Sequence, residues 1–354
     1  MKILLTGGGT GGHVIPNIAL FSELKKRGIA FEYIGEPHSI EERLILREEV
    51  PFHPVHAVKL DRAHMLRNLA IPWRLMRGVL DALRVIRREN YDVIFSKGGF
   101  VSLPVAMAGK ICKIPVITHE SDSTLGVANR VISHFASLVI APTSVKTKCP
   151  HISLSTPIRE DIFNGDSKRG RQSMRYDSTK KCLLVLGGSS GSTKINDLIY
   201  ANIDELTRYY NVVHITGKHG KNLTRNSYLG IEYTSSIADY YSLADIVITR
   251  GGAGVLSELM ALGKRAVVIP LENGASRGDQ VENALRLETA RLAVCLREKD
   301  MDMRTLYTKL KEAESLTIPS GLYDRATPRR IVDEIVKVAE QAPIRHTRRL
   351  SPTR

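Results

Sequence analysis

Short apolar runs that end in glycine alternate with helical stretches along this chain, and the whole alternation occurs twice. In the first half the runs are Ile3 to Thr6, Phe31 to Ile34, Tyr91 to Phe95, Pro115 to Thr118 and Leu138 to Ala141. The rhythm restarts with Cys182 to Leu186, Val212 to Thr216, Ile246 to Thr249 and Ala266 to Ile269. Apolar runs of this length, bounded by turn residues and separated by helices, specify strands of parallel βαβ units. The expected fold class is α/β, with two doubly wound, Rossmann-like lobes whose parallel sheets face a common cleft.

A chain of 354 residues with 43% hydrophobic content can bury two such cores. Residues 1–160 form the expected N-terminal lobe and 161–330 the C-terminal lobe, followed by a helix over 331–341 that packs back toward the N-terminal lobe and a basic tail over 342–354. The polar stretch from Phe163 to Arg171 reads as a linker or exposed loop between the lobes. The first helix is expected to begin near Ile15, with Pro16 in its first turn and Val14, Ile18 and Phe21 on one face, and to stop at Gly28. The last spans Arg330 to Glu340, with Ile331, Ile335 and Val338 aligned.

Fifty-one lysines and arginines against 37 acidic residues give a formal charge of +14. Such a surplus implies an anionic partner without choosing among nucleic acid, anionic lipid and phosphorylated substrate. No apolar run approaches the length of a membrane span, and the first is too short for a signal peptide. Cys112, Cys149, Cys182 and Cys295 are too scattered for a disulfide framework or a zinc site.

Three glycine clusters carry the chemistry. Gly7 to Gly12, followed by His13, joins the first strand to the first helix, where backbone amides and the helix dipole favour a diphosphate. A tight turn that needs glycine is the plain alternative. Gly187-Gly188-Ser189-Ser190-Gly191-Ser192 holds the equivalent place in the second lobe, and this duplication strengthens both readings. Arg250 to Glu258 also follows a strand and opens a helix. Glu258 there either accepts hydrogen bonds from a ribose diol or simply complements the helix dipole. Gln280 follows a strand end at the sheet edge that binds ligands in open α/β folds.

Taken in order, Gly8 to His13, Lys97-Gly98-Gly99-Phe100-Val101-Ser102, His119-Glu120, Gly187-Gly188-Ser189 and Arg250 to Glu258 resemble the MurG family, glycosyltransferase family 28, over nearly the whole chain. The resemblance implies a GT-B fold and an inverting transfer of N-acetylglucosamine from UDP-N-acetylglucosamine to the undecaprenyl-diphospho-muramoylpentapeptide lipid I, giving lipid II for peptidoglycan. It further implies that Thr10, Gly11 and Gly12 line the cleft, with Arg159 and Ser189 near the diphosphate, Thr234 by the uracil, Glu258 by the ribose and Gln280 by the sugar. Asn196 and Arg250 also match positions used by the family, and Asp122 stands where an amide would face the sugar. Two departures bear on sugar or acceptor choice. His119-Glu120-Ser121-Asp122 replaces the usual His-Glu-Gln-Asn, and Thr156-Pro157 replaces Asn-Pro.

Inversion requires in-line attack, with a base on one face of the sugar and stabilisation of departing UDP on the other. His13 is the first candidate base, unless it only hydrogen-bonds a phosphate or the loop. His119 and Glu120 form the second set, or position the first. Asp300-Met301-Asp302 matches a metal-binding Asp-x-Asp by letter only and reads as a solvated helix start, so neither a metal site nor a cofactor is expected.

Leu69, Ile71, Trp73, Leu75 and Met76 lie among Arg67, Arg74 and Arg77, a composition suited to an anionic membrane interface or, equally, to core packing. The family resemblance favours the membrane, as a peripheral enzyme on the cytoplasmic face, with lipid I and cell-wall synthesis proteins as partners and no nucleic acid. The rival readings are another GT-B transferase, an epimerase, a dehydrogenase using Glu36 after the second strand, and a non-catalytic sugar-nucleotide scaffold. A dehydrogenase would leave the second lobe's glycine loops without a task, and a scaffold would have no need of His13, His119 and Glu120.

Overall fold

The computed structural model describes residues 1–57, 71–142, 145–188, 191–218, 220–272 and 278–342. Ser189, Leu69 and the basic tail beyond residue 342 lie outside them.

The first lobe carries a seven-stranded sheet: β1 (Lys2–Thr6), β2 (Ala30–Gly35), β3 (Phe52–Pro54), β4 (Val93–Ser96), β5 (Val116–His119), β6 (Leu138–Ile140) and β7 (His151–Ile152). All are parallel, in the order β3-β2-β1-β4-β5-β6-β7. The second lobe repeats the plan with β8 (Lys181–Leu186), β9 (Tyr210–Ile215), β10 (Leu223–Arg225), β11 (Tyr228–Ile231), β12 (Ile246–Thr249), β13 (Arg265–Val268) and β14 (Val294–Cys295). Its order is β10-β11-β9-β8-β12-β13-β14, with only the edge hairpin β10-β11 antiparallel. In each lobe the order reverses beside the first strand, opening a crevice at the carboxyl ends of β1 and β4 and of β8 and β12. The nine strands read from sequence are all present. The five others are β3, β7, β10, β11 and β14, pieces of two to four residues at or near the sheet edges, too short to show a pattern.

Helices of the first lobe are α1 (Gly11–Ile18), α2 (Phe21–Lys26), α3 (Ile40–Arg47), α4 (Ile71–Glu89), α5 (Ser102–Ile111) and α6 (Val127–Ile132). Those of the second are α7 (Ser167–Gln172), α8 (Thr193–Ala201), α9 (Ile203–Tyr209), α10 (Ile237–Leu243), α11 (Ala253–Ala261), α12 (Asp279–Thr289), α13 (Met303–Ser315) and α14 (Thr327–Glu340). The first helix starts inside the glycine loop, four residues before the expected Ile15, so His13 stands in its first turn. At Leu20 the backbone N–H bonds Asn17 instead of Pro16, a tighter turn that separates α1 from α2. Asn17 is pinned there by its own side chain, which donates to the Thr6 carbonyl and to Tyr33 Oη.

The stretch expected as an exposed linker is docked instead. Gly165 lies so close to α10 that an added Cβ would sit 2.0 Å from the Ala238 carbonyl oxygen. Arg169 forks onto Asp239 through Nε at 3.0 Å and Nη2 at 2.8 Å. Ile158 and Ile162 already belong to the second lobe's core. Returning the other way, α14 buries Ile331, Val332 and Ile335 with Phe21 and Leu24 of the first lobe, and Arg27 reaches Asp333 at 2.8 Å. Val338, expected on the same face, packs at the edge of that cluster. Asp302 caps α13 through Thr305 N–H at 2.9 Å, which accounts for the Asp-x-Asp letters as a helix start.

Candidate functional site

Two helices that follow glycine loops, one from each lobe, are in contact, α1 and α11. The first-turn amides of α1 have no partner within the helix, and its dipole adds partial positive charge. One amide of the preceding loop is already taken, because Gly9 N–H donates to Glu41 Oε2 at 3.2 Å. Glu41 is fully buried beneath the loop, and a Cβ on Gly8 would lie 2.3 Å from its Oε1. The loop amides left beyond Gly9 are those of Thr10, Gly11 and Gly12, the residues expected to line the cleft. Thr10 and Gly12 are exposed, and Thr10 Oγ1 is 3.0 Å from His13 Nδ1.

The candidate residues at the end of β5 turn inward. His119 is wholly buried, tilted against Phe95, with Nε2 3.4 Å from the Ser155 carbonyl. Burial, with the nearby Lys97, holds its imidazole far below the usual range, so it is neutral. Glu120 Oε1 accepts from the backbone of Ser121 at 2.9 Å and of Asp122 at 3.2 Å. Its Oε2 accepts from Gly126 N–H at 2.9 Å and Asn129 Nδ2 at 3.0 Å. Burial pushes this acid up, but Lys97 and the four N–H donors outweigh it and the net direction is down. Glu120 organises the 120–126 loop, whereas His119 is held by Ser155 and Phe95, with its Nδ1 buried and unpartnered among the described residues.

Lys97 was hidden in the sequence within a glycine motif. It is almost fully buried, with Nζ donating to Ser121 Oγ at 2.8 Å. Burial lowers its pKa against the pull of Glu120 and Asp122. Asp122 is pushed up by burial and by Glu120, and its Oδ1 accepts from Asn283 Nδ2 at 3.1 Å. The carboxylate at this position thus faces the other lobe.

In the second lobe the glycine loops are clamped from behind. A Cβ on Gly191, at φ +81°, would sit 2.3 Å from the Thr216 carbonyl oxygen. Arg250, 8% exposed, donates to Ser192 Oγ at 2.6 Å and the Ile269 carbonyl at 3.1 Å, and pairs with Glu298 at 2.7 Å. Asn196 Nδ2 donates to the Thr216 carbonyl at 2.8 Å, and its Oδ1 accepts from His214 Nε2 at 2.9 Å. Arg250 and Asn196 thus brace the frame that shapes the loops.

Glu258 stands one turn inside α11, and Oε2 accepts from Tyr241 Oη at 2.8 Å. Enclosure raises its carboxyl to about 7, opposed by Tyr241 and by Arg159. Arg159 lies close enough to act on both Glu258 and Tyr241, and its Nε is buried without a partner among the described residues. Thr234 is half-buried, with Oγ1 accepting from Ser236 N–H at 3.0 Å. Gln280 Oε1 accepts from Leu271 N–H at 3.0 Å, and Gly251 packs so tightly on Gln280 that a Cβ would meet its carbonyl oxygen at 2.4 Å. Thr10 thus lies with His13 at the start of α1, Arg159 beside Glu258 of α11, and Gln280 against Gly251 just before α11. Tyr241 and Asn283 went unseen in the sequence, since a tyrosine or asparagine within a helix carries no local signal.

The apolar segment divides by face. On α4, Trp73 is 77% exposed, Met76 54% and Leu80 48%, with Arg74 and Arg77 exposed beside them. Leu75 packs against the core, contrary to its expected place on the outer surface, and Ile71 is half-buried. Among the described residues no helix is long and apolar enough to cross a membrane.

Family models describe the same halves: the glycosyltransferase family 28 N-terminal domain matches residues 3–141 and the family 28 C-terminal domain residues 182–317. A UDP-N-acetylglucosamine--N-acetylmuramyl-(pentapeptide) pyrophosphoryl-undecaprenol N-acetylglucosamine transferase of Clostridium perfringens is 42% identical over 323 residues, covering 88% of this chain and 90% of its own. Among solved structures, MurG of Acinetobacter baumannii superposes with a TM-score of 0.69 at 21% identity, covering 95% of this chain and 99% of that one. The UDP-GlcNAc 2-epimerase of Neisseria meningitidis gives 0.63 at 16% identity, over 95% and 100% of the two chains. At those identities the structural likeness establishes the two-lobed fold alone.

Proposed function

We propose, from the premise that this chain belongs to glycosyltransferase family 28, that it transfers N-acetylglucosamine from UDP-N-acetylglucosamine to lipid I in peptidoglycan synthesis. The observation that carries this reading is the meeting of α1 and α11 across one cleft, with His13 on one side and Glu258 and Arg159 on the other. Arg159 and the α11 amides receive the diphosphate, while Glu258 Oε1 accepts from the ribose diol. His13 takes the proton of the acceptor hydroxyl as that oxygen attacks the anomeric carbon, and the bond to UDP breaks on the opposite face. When Nδ1 carries a proton toward Thr10 Oγ1, Nε2 keeps the lone pair that this step needs. Developing charge on the departing diphosphate is stabilised by the helix end and Arg159. Glu120 and Lys97 hold the acceptor-side loop. Trp73, Met76 and Leu80, flanked by Arg74 and Arg77, rest on the anionic membrane surface that carries the acceptor.

The test is incubation of purified protein with labelled UDP-N-acetylglucosamine and a lipid I analogue, with UDP-N-acetylgalactosamine and UDP-glucose as controls. Transfer of label from the first donor alone supports the reading. Failure with that donor, or equal use of all three, overturns it.

A further inference from the structure

Asn283 sits one turn inside α12, and its carboxamide nitrogen donates in two directions. One bond crosses the cleft to Asp122 Oδ1 at 3.1 Å, and the other goes to the Gly251 carbonyl at 3.1 Å. A second cross-cleft bond lies one turn away, where Thr124 Oγ1 donates to Asp279 Oδ1 at 2.7 Å. Asp122 is itself fixed by the loop that Glu120 gathers through four N–H groups. Gly251, at the other end, begins the loop that enters α11 and Glu258 and packs against Gln280 without room for a Cβ.

From this arrangement we infer that Asn283 is a positioning residue that locks the donor loop of one lobe in register with the Ser121 to Gly126 loop of the other. A single NH₂ group bonded to both lobes makes the two loops move as one. The donor's anomeric carbon, held by the second lobe, then stands at a fixed distance from His13 in the first. Asp122 suits this role because its Oδ1 is an acceptor and Asn283 offers it a donor. The inference rests on the transfer reaction proposed above, since it concerns the alignment of that reaction's two substrates.

Loss of alignment by about an ångström costs on the order of 10- to 100-fold in turnover, so Asn283→Ala should lower kcat by about that factor. Donor affinity by calorimetry should change by less than about threefold, because the nucleotide contacts lie elsewhere. Asn283→Asp sets two carboxylates face to face; it should lower kcat further and increase the radius of gyration of the substrate-free protein in small-angle scattering. Adding Asp122→Asn reverses the polarity of the cross-cleft bond, so the double variant should regain compactness and exceed Asn283→Asp in kcat. A double variant no more compact and no more active than Asn283→Asp overturns the inference, as does an Asn283→Ala enzyme that keeps its kcat. If the wild type transfers no N-acetylglucosamine, the reaction reading falls, and the scattering comparison by itself decides whether the lobes are coupled.

Discussion

Tyr241 Oη donates to Glu258 Oε2 at 2.8 Å, joining α10 to α11 and leaving Oε1 without a hydrogen bond among the described residues. Tyr241 is buried and reaches no solvent, so its hydroxyl serves Glu258. In the proposed donor site the pair leaves the other carboxylate oxygen for the ribose. Replacing Glu258 by Ala should weaken UDP-N-acetylglucosamine binding by about 1 to 3 kcal/mol, and Tyr241→Phe by about 1 kcal/mol, as expected for hydrogen bonds to a charged group. Calorimetry checks both, and an unchanged affinity in Glu258→Ala removes that residue from the donor site.

The same carboxyl group gives donor binding a pH dependence. With its acid raised to about 7, Glu258 is ionised above that value and protonated below it. Hydroxyl donors of a ribose bind the ionised form better, so affinity should fall as pH drops from about 8 to about 6. Glu258→Gln, which cannot titrate, should bind more weakly at high pH and lose the slope. A slope that persists in this variant assigns the titration to another group.

His13→Ala should reduce turnover by about 100- to 10,000-fold with donor saturating, the usual contribution of a general base. Thr10→Val, which removes only the hydroxyl 3.0 Å from Nδ1, should cost a smaller factor and shift the acid limb of the kcat profile. Turnover near wild type in His13→Ala would rule His13 out.

Binding to vesicles rich in phosphatidylglycerol should exceed binding to neutral vesicles and weaken with salt, each surface cation contributing about 1 kcal/mol. Trp73→Ser with Met76→Ser should reduce sedimentation with these vesicles while sparing donor affinity, because both side chains point away from the core. Removal of residues 345–354 is the control for the basic tail. If the double variant binds normally and the truncation does not, the tail alone attracts the lipid.

Glu32 governs part of the acid stability. Burial alone would raise its pKa, but Lys2, Tyr91 and His53 together lower it to about 2 from an ordinary 4.5. Its stabilisation is therefore complete above about pH 4.5 and is lost as pH falls toward about 2. Glu32→Gln should melt lower than wild type at neutral pH and show a smaller further loss across that window. Parallel Tm curves for the two proteins would contradict this.

Much of the fold was legible because its signals are local. An apolar run followed by glycine announces a strand and a sharp turn wherever it occurs, and nine runs in two groups were enough to give two lobes. The glycine loops were equally visible, since Gly191 and Gly251 meet backbone atoms at distances that no side chain tolerates. Short edge strands such as β7 and β14 were not, because two residues carry no period. The first helix was placed late because glycines discouraged a helical reading of residues that the loop's packing on Glu41 drives into α1.

The sequence by itself determined two parallel-sheet lobes, three glycine-rich helix entries and the family to which they belong. Only the tertiary structure decided which polar side chains serve the cleft and which serve the frame. Arg250 finds Ser192 58 residues away, and Asn283 finds Asp122 across 161. Burial leaves each polar group a few partners at most, and those partners are chosen by packing between elements distant in the chain. Asn196 and Arg250 are thereby committed to the frame, while Tyr241 and Asn283, silent in the sequence, are brought to the site.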